Sequence, residues 1–151
     1  MPDSVSGHED HAGYWLRFVS NHVSHAFKLK VEEQGVTVAE WVVMREMFNS
    51  KEANPSQLAD KLGLTRGTVS KLIERLCAKQ LALRSTSEGD RRFQTVGLTP
   101  AGRKLLPGLA RLADENDREF FGHLTSEEKA TLVEQLREIV RRNTWKDTPV
   151  L

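Results

Sequence analysis

The chain of 151 residues contains a single cysteine, Cys77. Without a second thiol no internal disulfide can form, which fits a reducing compartment. No apolar run approaches the roughly 18 residues of a membrane span, and no basic-then-apolar leader opens the chain. A cytoplasmic location is the expectation. No Ser/His/Asp set, phosphate-cradling glycine loop or metal-ligand cluster stands out, and Gly63 and Gly67 do not make such a loop. Neither enzymatic activity nor a bound cofactor is expected. There is no internal repeat. The hydrophobic share of 38% is modest for a chain that closes its own core. It suits one helical domain that shares part of its core with a partner chain.

The formal net charge of +1 conceals an uneven distribution. Residues 1–52 carry five Lys/Arg against eight Asp/Glu, residues 53–103 nine against four, and residues 104–151 eight against nine. Positive charge is therefore concentrated in the middle third. A nucleic-acid surface needs such a local field, because counterion release depends on the cations at the interface and not on the total charge.

Residues 1–12 lack periodicity and read as a flexible arm. A first helix follows from about Gly13 to Glu33, with Trp15, Phe18, His22, His25 and Leu29 spaced as a heptad seam. Thr37 with Glu40 is a capping-box pair at the start of a second helix, whose apolar face is Trp41, Met44 and Met47/Phe48. Asn54-Pro55-Ser56-Gln57 opens a third helix, which Gly63 breaks. Thr65 caps a fourth helix with Val69, Leu72, Ile73 and Leu76 facing inward. Short strands are expected at Ala82–Ser85 and Phe93–Leu98, joined by a tip carrying Asp90, Arg91 and Arg92. Thr99-Pro100 starts a long fifth helix to about Phe121, with a kink or break at Pro107-Gly108. Thr125-Ser126-Glu127-Glu128 is a capping box for a sixth helix, which ends near Asn143 and has Leu132, Leu136, Ile139 and Val140 as its apolar positions. The fold class is mainly α: a winged helix-turn-helix with a two-stranded β-wing, flanked by N- and C-terminal helices that form a dimerisation layer. The expected organisation is an arm at 1–12, dimerisation helices at 13–36 and 104–143, a winged helix-turn-helix at 37–103 and a tail at 144–151.

Ala59, Gly63 and Val69 form the helix-turn-helix junction: a small residue at the helix contact, a glycine for the turn and an apolar plug. The N-terminal end of a recognition helix enters the major groove first. Of Thr65, Arg66, Thr68, Ser70, Lys71 and Arg75, therefore, Arg66 and Thr68 are candidates for base edges. Ser70, Lys71 and Arg75 are better placed for phosphates. Arg91 and Arg92 on a narrow ribbon can reach a minor groove, with Asp90 holding an arginine or capping the turn. Double-stranded DNA is the expected partner.

Several motifs resemble the MarR (multiple-antibiotic-resistance regulator) family of transcription factors. They are Gln57–Gly63, Thr68–Leu76, Leu83-Arg84, Asp90-Arg91-Arg92 and Leu98-Thr99-Pro100-Ala101-Gly102. Val36–Trp41 and Thr125–Glu128 extend the likeness over about residues 14 to 142. The resemblance implies a homodimer that binds a pseudo-palindromic operator, usually as a repressor, and is released by a small aromatic or anionic effector. It also implies that Arg92 is the minor-groove arginine and Asp90 its orienting partner. Gln80 departs from the family, which more often has glycine after the recognition helix, and makes a left-handed cap there less favourable.

For an effector, Trp15, Phe18 and Trp41 could supply aromatic walls, His22 and His25 polar contacts, and Arg45 a countercharge. Ordinary core and seam packing is the competing reading of the same residues. Zinc at His22 and His25 would need further ligands, and the His8-Glu9-Asp10-His11 cluster lies in the arm. Cys77 follows Leu76 where a small packed residue is usual, whereas a redox sensor wants an exposed electropositive site. The alternatives are a winged-helix adaptor that works through protein contacts, or a regulator that responds to metal or oxidation.

Overall fold

A computed structural model describes residues 4–87 and 90–150, the side chains of residues 87 and 90–93 excepted. A 3₁₀ turn, His8–Asp10, stands in the segment expected to lack structure. It is held by the Gly7 N–H donating to Asp10 Oδ2 at 2.8 Å. Six helices follow: α1 Ala12–Glu32, α2 Val38–Phe48, α3 Pro55–Leu62, α4 Arg66–Ala78, α5 Pro100–Phe121 and α6 Ser126–Arg142. Strands β1 Ala82–Ser87 and β2 Asp90–Leu98 separate α4 from α5. Among the described residues no helix is long and apolar enough to cross a membrane.

The predicted caps are in place. Thr37 and Glu40 exchange two hydrogen bonds, at 2.9 and 3.1 Å, as do Thr125 and Glu128, at 3.0 and 3.1 Å. Asn54 Oδ1 accepts from the Ser56 N–H at 2.7 Å, ahead of Pro55 at the first helical position. These contacts satisfy helix-end N–H groups that have no intrahelical acceptor.

β1 and β2 pair antiparallel from Ala82↔Leu98 to Thr86↔Gln94, then shift register at Thr86/Ser87. The strands are longer than expected because pairing continues into the polar residues toward the tip. Ala53 forms an isolated antiparallel bridge to β2, exchanging two 2.8 Å backbone hydrogen bonds with Val96. The core gathers Val43, Met44 and Met47 of α2, Leu58, Ala59 and Leu62 of α3, and Val69, Leu72, Ile73 and Leu76 of α4. Val96 and Leu98 of β2 and Leu106 and Leu109 of α5 close it. Fully burying one such aliphatic side chain contributes about 1.5–3 kcal/mol.

The motif Leu98-Thr99-Pro100-Ala101-Gly102 is a joint. Thr99 donates its backbone N–H to the Leu81 carbonyl at 3.0 Å and its hydroxyl to the Gln80 carbonyl at 2.8 Å, while its Oγ1 caps α5 through the Gly102 N–H. A Cβ on Gly102 would collide with the Leu81 carbonyl, so a side chain is excluded at that position. α5 then continues through Pro107 as one helix, without the break expected there. Buried Leu106 and Leu109 anchor it on both sides of the proline. Higher up, Asn116 fastens α5 to α1: its Nδ2 donates to the Val23 carbonyl at 3.2 Å and its Oδ1 accepts from Lys30 at 3.0 Å.

α4 ends in a left-handed cap despite the absence of glycine. Gln80 takes φ 61°, with Leu81 N–H donating to Leu76 O and Gln80 N–H to Cys77 O, both at 2.9 Å. The buried Leu76 and half-buried Leu81 hold a conformation that glycine would adopt without steric cost. Gln80→Gly is expected to stabilise the protein by about 0.5 kcal/mol, the steric relief exceeding the added unfolded-chain entropy. Urea unfolding at constant m-value measures this.

Candidate nucleic-acid interface

The helix-turn-helix is assembled from α3 and α4. Gly63 takes φ 66°, and the Leu64 N–H closes back on the Ala59 carbonyl at 3.0 Å. Ala59 and Val69 are buried at the crossing, so the three junction residues stand as the spacing predicted. With Val69, Leu72, Ile73 and Leu76 held inside, Arg66, Gly67, Thr68, Ser70 and Lys71 are all exposed at the start of α4. Apart from its own stretch of helix, no heavy atom of the described residues lies within 4 Å of where a Gly67 Cβ would be, so this face is open to an approaching backbone.

Thr65 accepts the Thr68 N–H at 3.1 Å and joins the Thr68 hydroxyl at 2.8 Å. Its side chain thus caps the helix and orients Thr68. Arg84 of β1 donates from Nη2 to the Ser70 carbonyl at 3.3 Å and lies 3.4 Å from Ser70 Oγ. That link fixes the wing against the recognition helix. Arg84 belongs to the Leu83-Arg84 motif but was not among the candidate DNA contacts, because no local pattern ties a strand arginine to a helix 14 residues earlier. The wing candidates Asp90, Arg91 and Arg92 fall within β2, and their side chains lie outside the described residues.

Arg75 points away from this face. Its Nη2 lies 3.6 Å from Glu40 Oε1 and 3.4 Å from Thr37 Oγ1. Glu40 is fully buried, and its Oε1 also accepts from Lys79 Nζ at 2.7 Å. Lys79 further donates to the Gly35 carbonyl at 2.9 Å. One carboxylate on α2 therefore holds two cations at the far end of α4. Burial pushes the Glu40 pKa up, but the hydrogen bonds from Lys79 and Thr37 outweigh it and hold the carboxyl below its ordinary value.

Arg75 also lines a cleft of about 580 Å³ between α1, the start of α2 and the C-terminal residues. Its walls include His25, Phe27, Lys28, Val38 and Ala39, with Pro149 and Val150 closing one side. Of the six effector candidates only His25 lines the cleft. Trp15, Phe18 and His22 lie on the exposed face of α1, with the Phe18 and His22 rings 5.3 Å apart. Trp41 packs edge-on against Phe27 at 6.3 Å, and Arg45 donates to Asn49 Oδ1 at 3.2 Å. Sequence reasoning missed Phe27, Lys28 and Arg75 as cleft residues. Lys28, three residues after His25, was the available signal. Among the described residues no group of three or more His, Cys, Asp and Glu could hold a metal ion.

A two-helix reader with its N-terminal face exposed, backed by a β-ribbon, defines a winged helix-turn-helix DNA-binding protein. Comparison with known proteins agrees. The MarR family model matches residues 36–93. The regulator SarZ of Staphylococcus epidermidis is 27% identical over 113 residues, which is 75% of each chain. The structure of Bordetella bronchiseptica BpsR, described for regulation of its DNA binding by 6-hydroxynicotinic acid, superposes with a TM-score of 0.77 at 26% identity. The match covers 91% of this chain and 99% of that one. The Staphylococcus aureus MepR–DNA complex shares the fold, with a TM-score of 0.77 at 23% identity over 87% of this chain and 98% of that one. The MarR-family match thus spans the helix-turn-helix and the wing, and the chain as a whole is similar to these regulators. It is a DNA-binding transcriptional regulator and not an enzyme.

The Glu40 cluster carries a pH signature. Because its folded pKa is depressed, its contribution to stability is complete above the unfolded value near 4.5 and is lost as pH falls through the folded pKa. Glu40→Gln is expected to cost about 1–3 kcal/mol at pH 7 and to flatten the acid limb of stability below pH 4.5. Urea unfolding from pH 7 to pH 3 tests both.

Proposed function

We propose that the chain is a homodimeric repressor that binds a pseudo-palindromic operator and is released by a small amphipathic anion. The observation that carries the reading is the exposed N-terminal face of α4, Arg66 to Lys71, held outward by the buried opposite face. On this reading Arg66 and Thr68 meet base edges, while Ser70 and Lys71 meet phosphates beside the free N–H groups of the helix start. Arg91 and Arg92 take the minor groove, with Asp90 orienting Arg92, as the family resemblance implies. Thr65 contributes as the cap that orients Thr68. Arg75, turned toward Glu40, contributes to the cleft instead of to a phosphate.

The homodimer is supported by apolar side chains that this chain leaves uncovered. Trp15, Leu16, Phe18, Val19 and Leu29 on α1, and Val133, Leu136, Ile139 and Val140 on α6, are each at least 39% exposed. α6 has no buried residue. Two heptad-spaced faces at opposite ends of the chain match a layer in which 13–36 and 104–143 pair with a second copy, below which 37–103 reads DNA.

Release by an effector is supported by the cleft. His25, Lys28 and Arg75 supply cationic or donor groups above the apolar Phe27, Val38 and Ala39, a combination suited to an aromatic or aliphatic carboxylate. Regulation of BpsR by 6-hydroxynicotinic acid supports the same class of ligand here. An anion that draws on Arg75 competes with Glu40 for a residue of the recognition helix itself, so its binding bears on the position of α4.

In-vitro selection from random duplex DNA at two salt concentrations tests the reading. The expected product is an inverted repeat with half-sites about one helical turn apart, bound by a dimer in sedimentation. Recovery of unrelated sequences that wash off with salt would sink it. On the selected site, Arg92→Ala is expected to weaken binding by about 1–3 kcal/mol, and Arg66→Ala to relax preference at one base position. Fluorescence anisotropy measures both, and unchanged affinity in both variants defeats the proposed docking. With 6-hydroxynicotinate as the probe, Arg75→Ala is expected to abolish any ligand-induced release.

A further inference from the structure

The residues that follow α6 turn back onto the DNA-reading unit. α6 closes with Thr144 in a left-handed conformation at φ 54°, which a β-branched residue adopts only under constraint. The Thr144 N–H donates to the Arg141 carbonyl at 3.1 Å and the Trp145 N–H to the Val140 carbonyl at 3.3 Å, reversing the chain. The Lys146–Asp147 backbone then passes over Gly63. A Cβ on Gly63 would collide with the Lys146 carbonyl and come within 2.8 Å of the Asp147 Cα. One residue on, the Thr148 N–H donates to the Leu62 carbonyl at 2.7 Å. Pro149 and Val150 finish as one wall of the cleft, which His25, Lys28 and Arg75 also line.

We propose that residues 144–150 are a strap that clamps the helix-turn-helix turn and holds α4 in its reading position. Two independent contacts converge on adjacent turn residues, Leu62 and Gly63, and the reversal at Thr144 leads the chain to them. The strained Thr144 aims the strap, the side-chain-free Gly63 admits it, and the Leu62 carbonyl, left without a helical partner at the end of α3, anchors it. The turn that the strap covers leads directly into Thr65, which caps the recognition helix. Because the strap also walls the cleft, seated and released straps are two states with different cleft shapes and different restraint on the turn. The strap is a property of the fold. It rests on the proposed operator-binding function only in the affinity arm of its test.

Hydrogen exchange tests the clamp on the full chain, on a chain ending at Asn143 and on Thr148→Pro, which removes the anchoring donor. In the full chain the Thr148 amide is expected to exchange at least about tenfold more slowly than an unstructured amide. Both variants are expected to speed exchange of the Gly63 and Leu64 amides by about tenfold while the amides of Met44 and Ile73 stay protected. Gly63→Ala is expected to release Thr148 protection in the full chain, and to destabilise it more than it destabilises the shortened one. Operator affinity is expected to fall several-fold in both strap variants. If the full chain bound no duplex at all, the operator-binding reading would fail while the exchange results still judged the strap. An unprotected Thr148 amide, or Gly63 and Leu64 exchange unchanged in Thr148→Pro and in the shortened chain, would overturn the proposal.

Discussion

Everything the chain presents to a partner depends on how α4 is wedged into the core. Val69, Leu72, Ile73 and Leu76 are buried against α2, α3 and the base of the wing, and this sets the rotation of the helix. Once that rotation is set, side-chain periodicity assigns the remaining residues. Arg66, Thr68, Ser70 and Lys71 face out, while Arg75 and Lys79 leave on another edge toward Glu40. A shift of the helix by one residue would turn a charged side chain inward, Lys71 and Arg75 in one direction or Glu74 in the other, at a cost of several kcal/mol. The core thereby sets which residues make up the exposed face of α4.

The joints around α4 are made by close backbone approaches. Gly63 turns α3 into α4 beneath residues 146–147, and Gly102 lies under the Leu81 carbonyl. Gly97 is pressed against the Lys51 carbonyl, where a Cβ would lie 2.6 Å away. At these positions a side chain would push two elements apart and tilt the reader. Thr99 works at the same junction by a different means, bonding the end of α4 while capping α5. The fourth helix, the wing and α5 are thus joined through a few short backbone contacts, and a displacement of one bears on the others.

The cleft and the recognition helix share Arg75. Arg75 is held by a buried carboxylate on one side and is open to the cleft on the other, so under the proposed function an anion bound there would act directly on α4. Glu40 contributes twice, as the capping-box acid of α2 and as counterion to Lys79 and Arg75. Its second oxygen, Oε2, is buried without a hydrogen-bond partner among the described residues, so the cluster depends on the cations remaining close.

Much of the fold was legible from local signals. Thr37/Glu40, Asn54-Pro55, Thr65, Thr99-Pro100 and Thr125/Glu128 each marked a helix start, because capping is a contact between residues two or three apart. The spacing of Val69, Leu72, Ile73 and Leu76 identified the inner face of α4 for the same reason. Tertiary packing decided the rest. Unbroken passage through Pro107 and the left-handed Gln80 run against local preference, and burial of their neighbours overrides it. The Glu40–Arg75–Lys79 cluster joins residues 35 and 39 positions apart, Arg84 reaches back 14 residues to Ser70, and Thr148 reaches Leu62 across most of the domain. None of these contacts leaves a period or spacing in the chain. By itself the sequence determined the elements, their capped ends and the face of α4 that turns outward. Which cations stay on that face, and what closes the cleft behind it, was decided only when distant residues met in space.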